Sequence, residues 1–317
     1  MKAVLGLDTS CYTTSVAAVA LDGHVLASVR RLLVVKQGGR GLRQSEGVFQ
    51  HTQNLPQLIK DLYAQLPDLE IVAIAASFTP RDVEGSYMPV FTVGSGTAEV
   101  LAQSLHVPLY HTDHQNGHVA AARIDSGIPE GDHLALHLSG GTTEVLACRG
   151  GQALALLGGS DDLHAGQFVD RVGVKLGLGF PAGPALEKLA EGTEAKSLIV
   201  ATCKGLNCSF SGAEAQVMRM ADSDAYSKEQ IAAEVYSCLA RTIEKLLTNA
   251  AKETGLNRVL LAGGVVSSQR FRKMLLERIK RSKSPVKAYF AKQEYSGDNA
   301  VGVASIGVMR YKEEMGK

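Results

Sequence analysis

Short apolar runs alternate with longer segments of helical period along the whole chain. The runs that predict strands are KAVLGLD, SVAAVAL, EIVAIAAS, DHLALHLS, TEVLACR and NRVLLAGG. Apolar residues recur every three to four positions in the segments SEGVFQHTQNLPQLIKDLYAQL, TVGSGTAEVLAQSL, PALEKLAEG, SKEQIAAEVYSCLARTIEKLLTNAAKE and SQRFRKMLLERIKRSK, which predict helices. Strands mixed with helices from end to end predict an α/β architecture.

One stretch of the pattern occurs twice. Residues 10–16, SCYTTSV, can be laid over residues 139–145, SGGTTEV, and each stretch has an apolar strand before it and another after it. A strand–polar turn–strand unit used twice predicts a duplicated fold with two related lobes. Coincidence between two threonine-rich hairpins is the alternative.

Length and charge narrow the class of protein. The 317 residues suffice for about two domains, and the net charge of +1 gives no global attraction to nucleic acid. An RNA contact would therefore need a local patch, for which two basic clusters are candidates, although a solvated helix face has the same composition. The clusters are Arg30, Arg31, Lys36, Arg40 and Arg43, and then Arg270, Arg272, Lys273, Arg278, Lys280, Arg281 and Lys283.

Cysteine usage and the opening residues predict a compartment. None of the five cysteines shows the short paired spacing of a zinc site, which indicates reduced thiols. The opening MKAVLGLDTS is too polar for a signal peptide, and no apolar run approaches the roughly 18 residues of a membrane span. We expect a soluble, cytoplasmic protein that makes no membrane contact.

The segment HTDHQNGH at 111–118 predicts a metal site. His114 and His118 are four residues apart, so on a helix both imidazoles lie on one face and can share an ion; on a loop they are two surface histidines. Gln115 stands where the H-E-x-x-H motif has its glutamate, which argues against a metalloprotease. Asp298, in a turn of small residues, is the best candidate for a third ligand, and His137 could reach the same cleft.

Three turns predict a nucleotide between the two lobes. The turns at 10–14, 138–143 and 261–265 combine glycines or hydroxyls with free backbone N–H groups, the donors that bind phosphate. None of them matches the P-loop or the dinucleotide-binding fingerprint. Each turn by itself is more typical of an ordinary hairpin or helix entry, and it is the occurrence of three in one chain that favours a nucleotide.

Eight motifs in a fixed order resemble one family. They are GLDTSC at 6–11, H-x-x-x-H at 114–118, LSGG-x-T at 138–143, F-x-D at 168–170, GLGFP-x-GP at 177–184, SFSG at 209–212, AGGV at 262–265 and GDN at 297–299. Together they resemble the TsaD (Gcp) family of tRNA N6-adenosine threonylcarbamoyltransferases, once called O-sialoglycoprotein endopeptidases. The resemblance runs from about residue 3 to residue 312.

The resemblance implies a fold and a reaction. The fold is the duplicated actin-like (ASKHA) fold of sugar kinases and Hsp70, with nucleotide and metal in the cleft between two lobes. An N-terminal lobe is expected at 1–108 with a C-terminal helix at 299–317 packed back on it, and a second lobe at 109–298 with a helical insertion around 184–230. The reaction moves a threonylcarbamoyl group from threonylcarbamoyl-AMP to N6 of the tRNA adenosine next to the anticodon.

The resemblance also implies ligands and partners. His114, His118 and Asp298 would hold one iron or zinc ion per chain, and Asp170 and Asp298 would be catalytic. ATP, AMP or threonylcarbamoyl-AMP would be bound by His137, Leu138, Ser139, Gly140, Gly141, Asp170, Gly183, Gly263, Gly264 and Ser268. The implied partners are tRNA, and either protein subunits resembling TsaB and TsaE or a second copy of the chain.

Departures from the family pattern keep other functions open. The family's S-C-D-E-T is here SCYTT, with Tyr12 and Thr13 in place of two acids, the glycine-rich loop is replaced at 79–94, and Ser268 replaces an asparagine. The second hypothesis is therefore a paralogue that serves as a nucleotide-binding partner subunit or transfers a carbamoyl-type group to another acceptor. Retained metal ligands favour the transferase, and the replaced acids favour the paralogue.

Overall fold

The computed structural model describes residues 1–10, 12–35, 42–150, 152–223 and 225–316, so Cys11, Lys36 and Arg40 of the sequence patterns lie outside the described residues. In chain order the elements are β1 (Lys2–Thr9), β2 (Thr13–Ala20), β3 (Val25–Leu32), α1 (Gln44–Gln65), β4 (Glu70–Thr79), α2 (Phe91–Leu105), β5 (Leu109–Asp113), α3 (His114–Arg123), β6 (His133–Leu138), β7 (Thr143–Arg149), β8 (Gln152–Ser160), α4 (Ala165–Lys175), α5 (Gly183–Leu189), β9 (Thr202–Lys204), β10 (Asn207–Ser209), α6 (Ser211–Ala221), α7 (Lys228–Thr254), β11 (Arg258–Ala262), α8 (Gln269–Ser282), β12 (Lys287–Phe290) and α9 (Val301–Met315).

Contacts divide the chain into two compact units. The first comprises Met1–Ile124 and Gly297–Lys317, and the second is Asp125–Ser296. The boundary thus differs from the expected one after residue 108. It falls after α3 because β5 pairs with β4 and α3 packs on α9, which keeps both elements in the first unit.

The first unit is a five-stranded sheet in the order β3-β2-β1-β4-β5. β1 and β2 form the predicted antiparallel hairpin, β3 continues it, and β4 and β5 are parallel to β1. Apolar residues of α1 and α2 cover one face of the sheet, and α9 covers the other. Burial on both faces explains why β1 and β2 are nearly continuous apolar runs.

The second unit repeats this plan. Its sheet has the order β12-β11-β6-β7-β8-β10-β9, in which β6, β7 and β8 are antiparallel neighbours and β11 and β12 run parallel to β6. Three antiparallel strands followed by two parallel ones is the arrangement of the first unit. The predicted overlay of 10–16 on 139–145 therefore matches the β1–β2 turn to the β6–β7 turn.

Glycines let α9 approach its neighbours closely. A Cβ on Gly302 would lie 1.8 Å from the carbonyl oxygen of Gly117 in α3, and one on Gly6 would lie 2.6 Å from the carbonyl oxygen of Ala300. Only glycine permits such backbone contacts. They fix the start of α9, and with it Asp298, against β1 and α3.

The described helices were also compared with the length and apolarity that a membrane span requires. No helix among these residues is both long enough and apolar enough to cross a bilayer.

Candidate metal centre and nucleotide pocket

The two histidines of 111–118 lie on a helix, one turn apart. α3 begins at His114, and Asp113 caps it by accepting a hydrogen bond from the backbone N–H of Asn116 at 2.9 Å. The Nε2 atoms of His114 and His118 are 3.0 Å apart. The segment is therefore helical rather than a loop, and both imidazoles lie on one face of the helix.

Asp298 completes a cluster of three possible ligands in the first unit. Its Oδ1 atom is 3.2 Å from Nε2 of His118 and 3.7 Å from Nε2 of His114. Burial would raise the pKa of Asp298, but the two imidazoles and the hydroxyl of Ser10 outweigh it and hold the pKa well below its ordinary value. The carboxyl group is therefore a carboxylate at neutral pH.

Asp8 supports this cluster by accepting a hydrogen bond from the ring of His114. Both of its carboxylate oxygens lie 3.1 Å from Nδ1 of His114, and its side chain is fully buried. A carboxylate only accepts, so Nδ1 carries the proton and Nε2 is left to face Asp298 and His118. Burial lowers the pKa of His114, but the charges of Asp8 and Asp298 outweigh it and raise the pKa to about 9, so a metal that binds at Nε2 would displace a proton from that nitrogen.

The turn between β1 and β2 holds the other oxygen of Asp298. The hydroxyls of Ser10 and Thr13 donate to Oδ2 at 3.1 and 3.3 Å. Thr13 is one of the two residues that replace family acids, and here it binds the carboxylate that an acid would repel. Oδ1 is left to face the imidazoles.

His51 of α1 fixes that turn. Its ring is fully buried, with Nε2 at 2.8 Å from the carbonyl oxygen of Ser10 and Nδ1 at 2.8 Å from the hydroxyl of Thr14. Because a carbonyl only accepts, Nε2 carries the proton and Nδ1 accepts from Thr14. Burial lowers the pKa of His51, so the ring is neutral when the turn is in place.

The donor set fits a transition metal. Two imidazole nitrogens and one carboxylate oxygen all lie within 4.8 Å of one another, and such mixed N/O sets suit zinc and iron. Ligand atoms around tetrahedral zinc are about 3.3 Å apart, close to the separations found here. A carboxylate behind a ligating imidazole, as Asp8 is behind His114, is the usual support of such a site.

A pocket of about 480 Å³ lies within the second unit. The turn after β6 forms one edge, closed by a hydrogen bond from the N–H of Ser139 to the carbonyl of Thr142 at 2.8 Å. The start of α4 packs on that turn, and a Cβ on Gly166 would lie 2.6 Å from the nitrogen of Gly140. Five predicted nucleotide-binding residues line the pocket: Gly140, Asp170, Gly183, Gly264 and Ser268.

The remaining predicted residues lie beside the pocket rather than in its lining. His137 and Leu138 end β6, with Leu138 fully buried, and Ser139 and Gly141 belong to the turn that follows. Gly263 has φ of +102°, and a Cβ there would lie 2.2 Å from the carbonyl oxygen of Leu138. This glycine permits the close approach of two strand ends.

The pocket also contains polar residues that the sequence patterns did not single out. Glu187 lines it while accepting from the backbone N–H of Arg270 at 2.7 Å, and the hydroxyl of Tyr236 donates to the carbonyl of Gly183 at 3.1 Å. Asp170 accepts from the N–H of Ala182 at 2.8 Å. Glu187 and Tyr236 sit inside ordinary helical periodicity, which gave no signal of their role.

Solved structures define the class of fold. The chain is similar to a ROK hexokinase from Thermus thermophilus, with a TM-score of 0.55 and 16% identity over 98% of this chain and 99% of that one. It is similar to HypF from T. kodakarensis, with a TM-score of 0.63 and 15% identity over 98% of this chain and 48% of that one. The protein therefore has the predicted actin-like ASKHA fold.

Sequence comparison then gives the family. The model described as TsaD, tRNA N6-adenosine threonylcarbamoyltransferase, matches residues 39–305. Relatives of that name include one from Sulfurihydrogenibium sp., 32% identical over 98% of this chain and 91% of the relative, and one from Carboxydothermus hydrogenoformans, 31% identical over 98% and 92%. The chain belongs to the TsaD family, as the motifs predicted.

Proposed function

We propose that this protein is a metal-dependent transferase that moves a threonylcarbamoyl group from threonylcarbamoyl-AMP to N6 of the tRNA adenosine next to the anticodon. The observation that carries the proposal is the cluster of His114, His118 and Asp298, supported by Asp8, in a chain of the TsaD family. The names of its relatives give the transferred group, threonylcarbamoyl, and the acceptor, N6 of a tRNA adenosine.

The first unit would bind the metal. Iron or zinc held by His114, His118 and Asp298 would provide a Lewis acid for a carbonyl or phosphate oxygen. Asp8 keeps the proton of His114 on Nδ1, and Ser10 and Thr13 hold Oδ2 of Asp298, so that both ligand atoms keep their orientation. The chain thus provides a rigid set of ligands.

The second unit would bind the adenylate. Asp170 and Glu187 in the pocket lining are acceptors for ribose hydroxyls, and the open backbone at Gly140 and Gly264 suits a phosphate. A volume of about 480 Å³ is in the range of small-molecule sites. ATP, AMP and threonylcarbamoyl-AMP share the nucleoside that these groups would bind.

Transfer of the threonylcarbamoyl group to the adenosine needs no further reactant. The N6 amine of adenosine forms a bond to the carbamoyl carbon, the bond from that carbon to the phosphate oxygen breaks, AMP leaves, and the amine loses a proton to solvent.

We place the reaction in the cytoplasm, with tRNA and either TsaB- and TsaE-like subunits or a second copy of the chain as partners.

A nucleotide-binding partner subunit is the second candidate. One observation favours it: the whole pocket lining belongs to the second unit, so nucleotide binding does not require the metal cluster of the first. A subunit of this kind would bind AMP and leave the transfer to a partner.

The test is reconstitution. The protein is incubated with threonine, bicarbonate, ATP, a threonylcarbamoyl-AMP synthase and unmodified tRNA, with and without partner subunits, and the digested nucleosides are analysed by mass spectrometry. The transferase predicts threonylcarbamoyladenosine that depends on this protein. Adduct that forms as well with Asp298→Asn as with the wild type once partner subunits are present, with AMP still bound, would support the subunit instead.

A further inference from the structure

Two cysteines face each other in the short hairpin formed by β9 and β10, which has no part in the proposed transfer. In the register of this hairpin Cys203 lies directly opposite Cys208. Gly205 and Leu206 form the turn, and the φ of +58° at Gly205 fits the first central position of a type II′ turn. The fold therefore places one cysteine on each of two adjacent antiparallel strands.

This register brings the two side chains together. Lys204 and Asn207 flank the two-residue turn and form the hydrogen-bonded pair, so Cys203 and Cys208 form the next pair, which is not hydrogen-bonded. The Cα atoms of such a pair are about 4.5 Å apart, and both side chains lie on the same face of the hairpin. Disulfides join residues whose Cα atoms are about 4.4 to 6.8 Å apart. The hairpin therefore has the spacing that a disulfide requires.

Packing and electrostatics agree with the register. Cys208 is part of the apolar core of the second unit, and Cys203 packs against the same core from its edge. Burial raises the pKa of Cys208 to about 12, and the neighbouring Cys203 is the next largest cause of the rise. The two sulfur atoms are thus within electrostatic range of each other, and both are free thiols.

The two thiols differ in their access to solvent. Cys208 is 2% exposed, whereas Cys203 is partly exposed. Burial raises the pKa of Cys203 as well, but the ammonium of Lys245 and the amide of Asn249 oppose the rise, and Nδ2 of Asn249 donates to Sγ at 3.9 Å. Both groups stabilise a thiolate at Cys203. Cys203 is therefore the thiol that an oxidant from solvent reaches first.

Helix α7 holds the hairpin in place. Nδ2 of Asn249 donates to the carbonyl oxygen of Gly205 in the turn at 2.8 Å, and Nζ of Lys245 donates to the carbonyl oxygen of Ala201, just before β9, at 3.3 Å. Because these contacts lie at the two ends of β9, Cys203 stays opposite Cys208 without any rearrangement of the chain.

We propose that Cys203 and Cys208 are a redox-active pair, which a small disulfide compound oxidises to an intramolecular disulfide. This modification site is separate from the metal centre and from the nucleotide pocket, and it does not depend on the proposed transfer.

The oxidation takes place in two exchanges. The thiolate of Cys203 attacks one sulfur of the oxidant, the S–S bond of the oxidant breaks, and one thiolate leaves. The sulfur of Cys208 then attacks Sγ of Cys203, the mixed S–S bond breaks, and the second thiolate leaves. Two protein thiols are oxidised, the oxidant is reduced to two thiols, and the two cysteine protons pass through solvent to the leaving thiolates.

The experiment treats the native protein with oxidised glutathione, blocks the remaining thiols with N-ethylmaleimide in urea, and digests the chain with trypsin. Trypsin cuts after lysine and arginine, so Cys203 lies in the peptide 197–204 and Cys208 in the peptide 205–219. We expect mass spectrometry to find these two peptides joined by a disulfide after oxidation and separated after reduction. Without oxidant, each peptide should carry maleimide instead.

Three variants assign the roles of the two thiols. Cys208→Ala should lose the joined peptides and accumulate glutathione on Cys203, because the mixed disulfide has no second thiol to displace it. Cys203→Ser should lose the joined peptides without accumulating glutathione, because the thiol that remains in the hairpin is buried. Cys238→Ala is the matched control: it removes a fully buried thiol from α7 and should leave the joined peptides at the wild-type level.

Peptides 197–204 and 205–219 that stay separate at every concentration of oxidised glutathione would overturn the proposal. Joining that occurs only when the protein is oxidised in urea would overturn it as well, because the fold would then not be what brings the two thiols together. The readout requires neither metal, nucleotide nor RNA, so failure of the proposed transfer would leave this result unaffected.

Discussion

The carboxylate of Asp8 receives the Nδ1 proton of His114, with both oxygens at 3.1 Å. Asp8 is buried in an otherwise apolar strand, and His114 begins α3, more than a hundred residues later in the chain. The pair sets the tautomer of the imidazole, and it thereby decides which nitrogen is available to a metal.

Asp8→Asn should weaken metal binding. The amide can still accept from Nδ1, but it lacks the charge that makes the imidazole a strong ligand, so we expect the metal dissociation constant to rise about 10- to 100-fold. Competition between the protein and a zinc chelator of known affinity measures the change.

The control for this variant is Asp22→Asn. Asp22 lies in the β2–β3 turn, where its carboxylate accepts from the N–H of His24 at 2.9 Å, and its loss removes the same charge from the same unit. Equal metal affinity in Asp8→Asn, Asp22→Asn and the wild type would contradict the role assigned to Asp8.

Gly140→Val should abolish nucleotide binding while the fold is retained. A Cβ at Gly140 meets no atom within 4 Å, but it projects where a phosphate would approach the pocket edge. AMP at a hundred times its Kd should raise the free energy of unfolding of the wild type by about 2.7 kcal/mol, which is measured as a rise in Tm. This rise in Tm should vanish in the variant. Gly96→Val is the matched control, since a Cβ there also meets no atom within 4 Å and Gly96 lies in α2 of the first unit. A full shift in Gly140→Val would place the nucleotide elsewhere.

His51 should make the first unit sensitive to acid. Burial lowers its pKa below the ordinary value of 6.5, so the unfolded chain takes up a proton before the folded one does. The stability that the neutral ring contributes is complete above about pH 6.5 and is lost as the pH falls below it. In denaturant unfolding from pH 5 to 7.5, His51→Gln should reduce the slope of stability against pH by up to about 1.4 kcal/mol per pH unit. His24→Gln, which changes an exposed histidine, should leave the slope as it is.

Much of the fold could be predicted because its patterns are local. The β1–β2 and β6–β7 hairpins, α1, α7 and α8 all follow from apolar period and turn residues within their own segments. The exposed edge strand β3 and the short strands β9 and β10 were missed, because their residues do not form a continuous apolar run. The unit boundary was misplaced because pairing of β5 with β4 depends on contacts between distant segments.

The candidate site was predictable only where chemistry was concentrated in the sequence. The four-residue spacing of His114 and His118 predicts a shared ligand site, and the turn of small residues around Asp298 marks it as the candidate third ligand. His51 gave no such signal, since a single histidine in a helical pattern is ordinary, and its bond to Ser10 joins α1 to a turn 41 residues away. Asp8 gave a weaker one: a carboxylate within an apolar strand needs a partner, which a single sequence does not name.

Metal-dependent transfer is tested most directly by the activity of Asp298→Asn in the reconstituted system with its metal content measured. The amide keeps the hydrogen bonds from Ser10 and Thr13 but removes the charge from the metal ligands. We predict that threonylcarbamoyladenosine formation falls on the order of a hundredfold or more, while the AMP thermal shift stays at the wild-type value. Equal transfer by Asp298→Asn and the wild type would contradict the catalytic role of this centre.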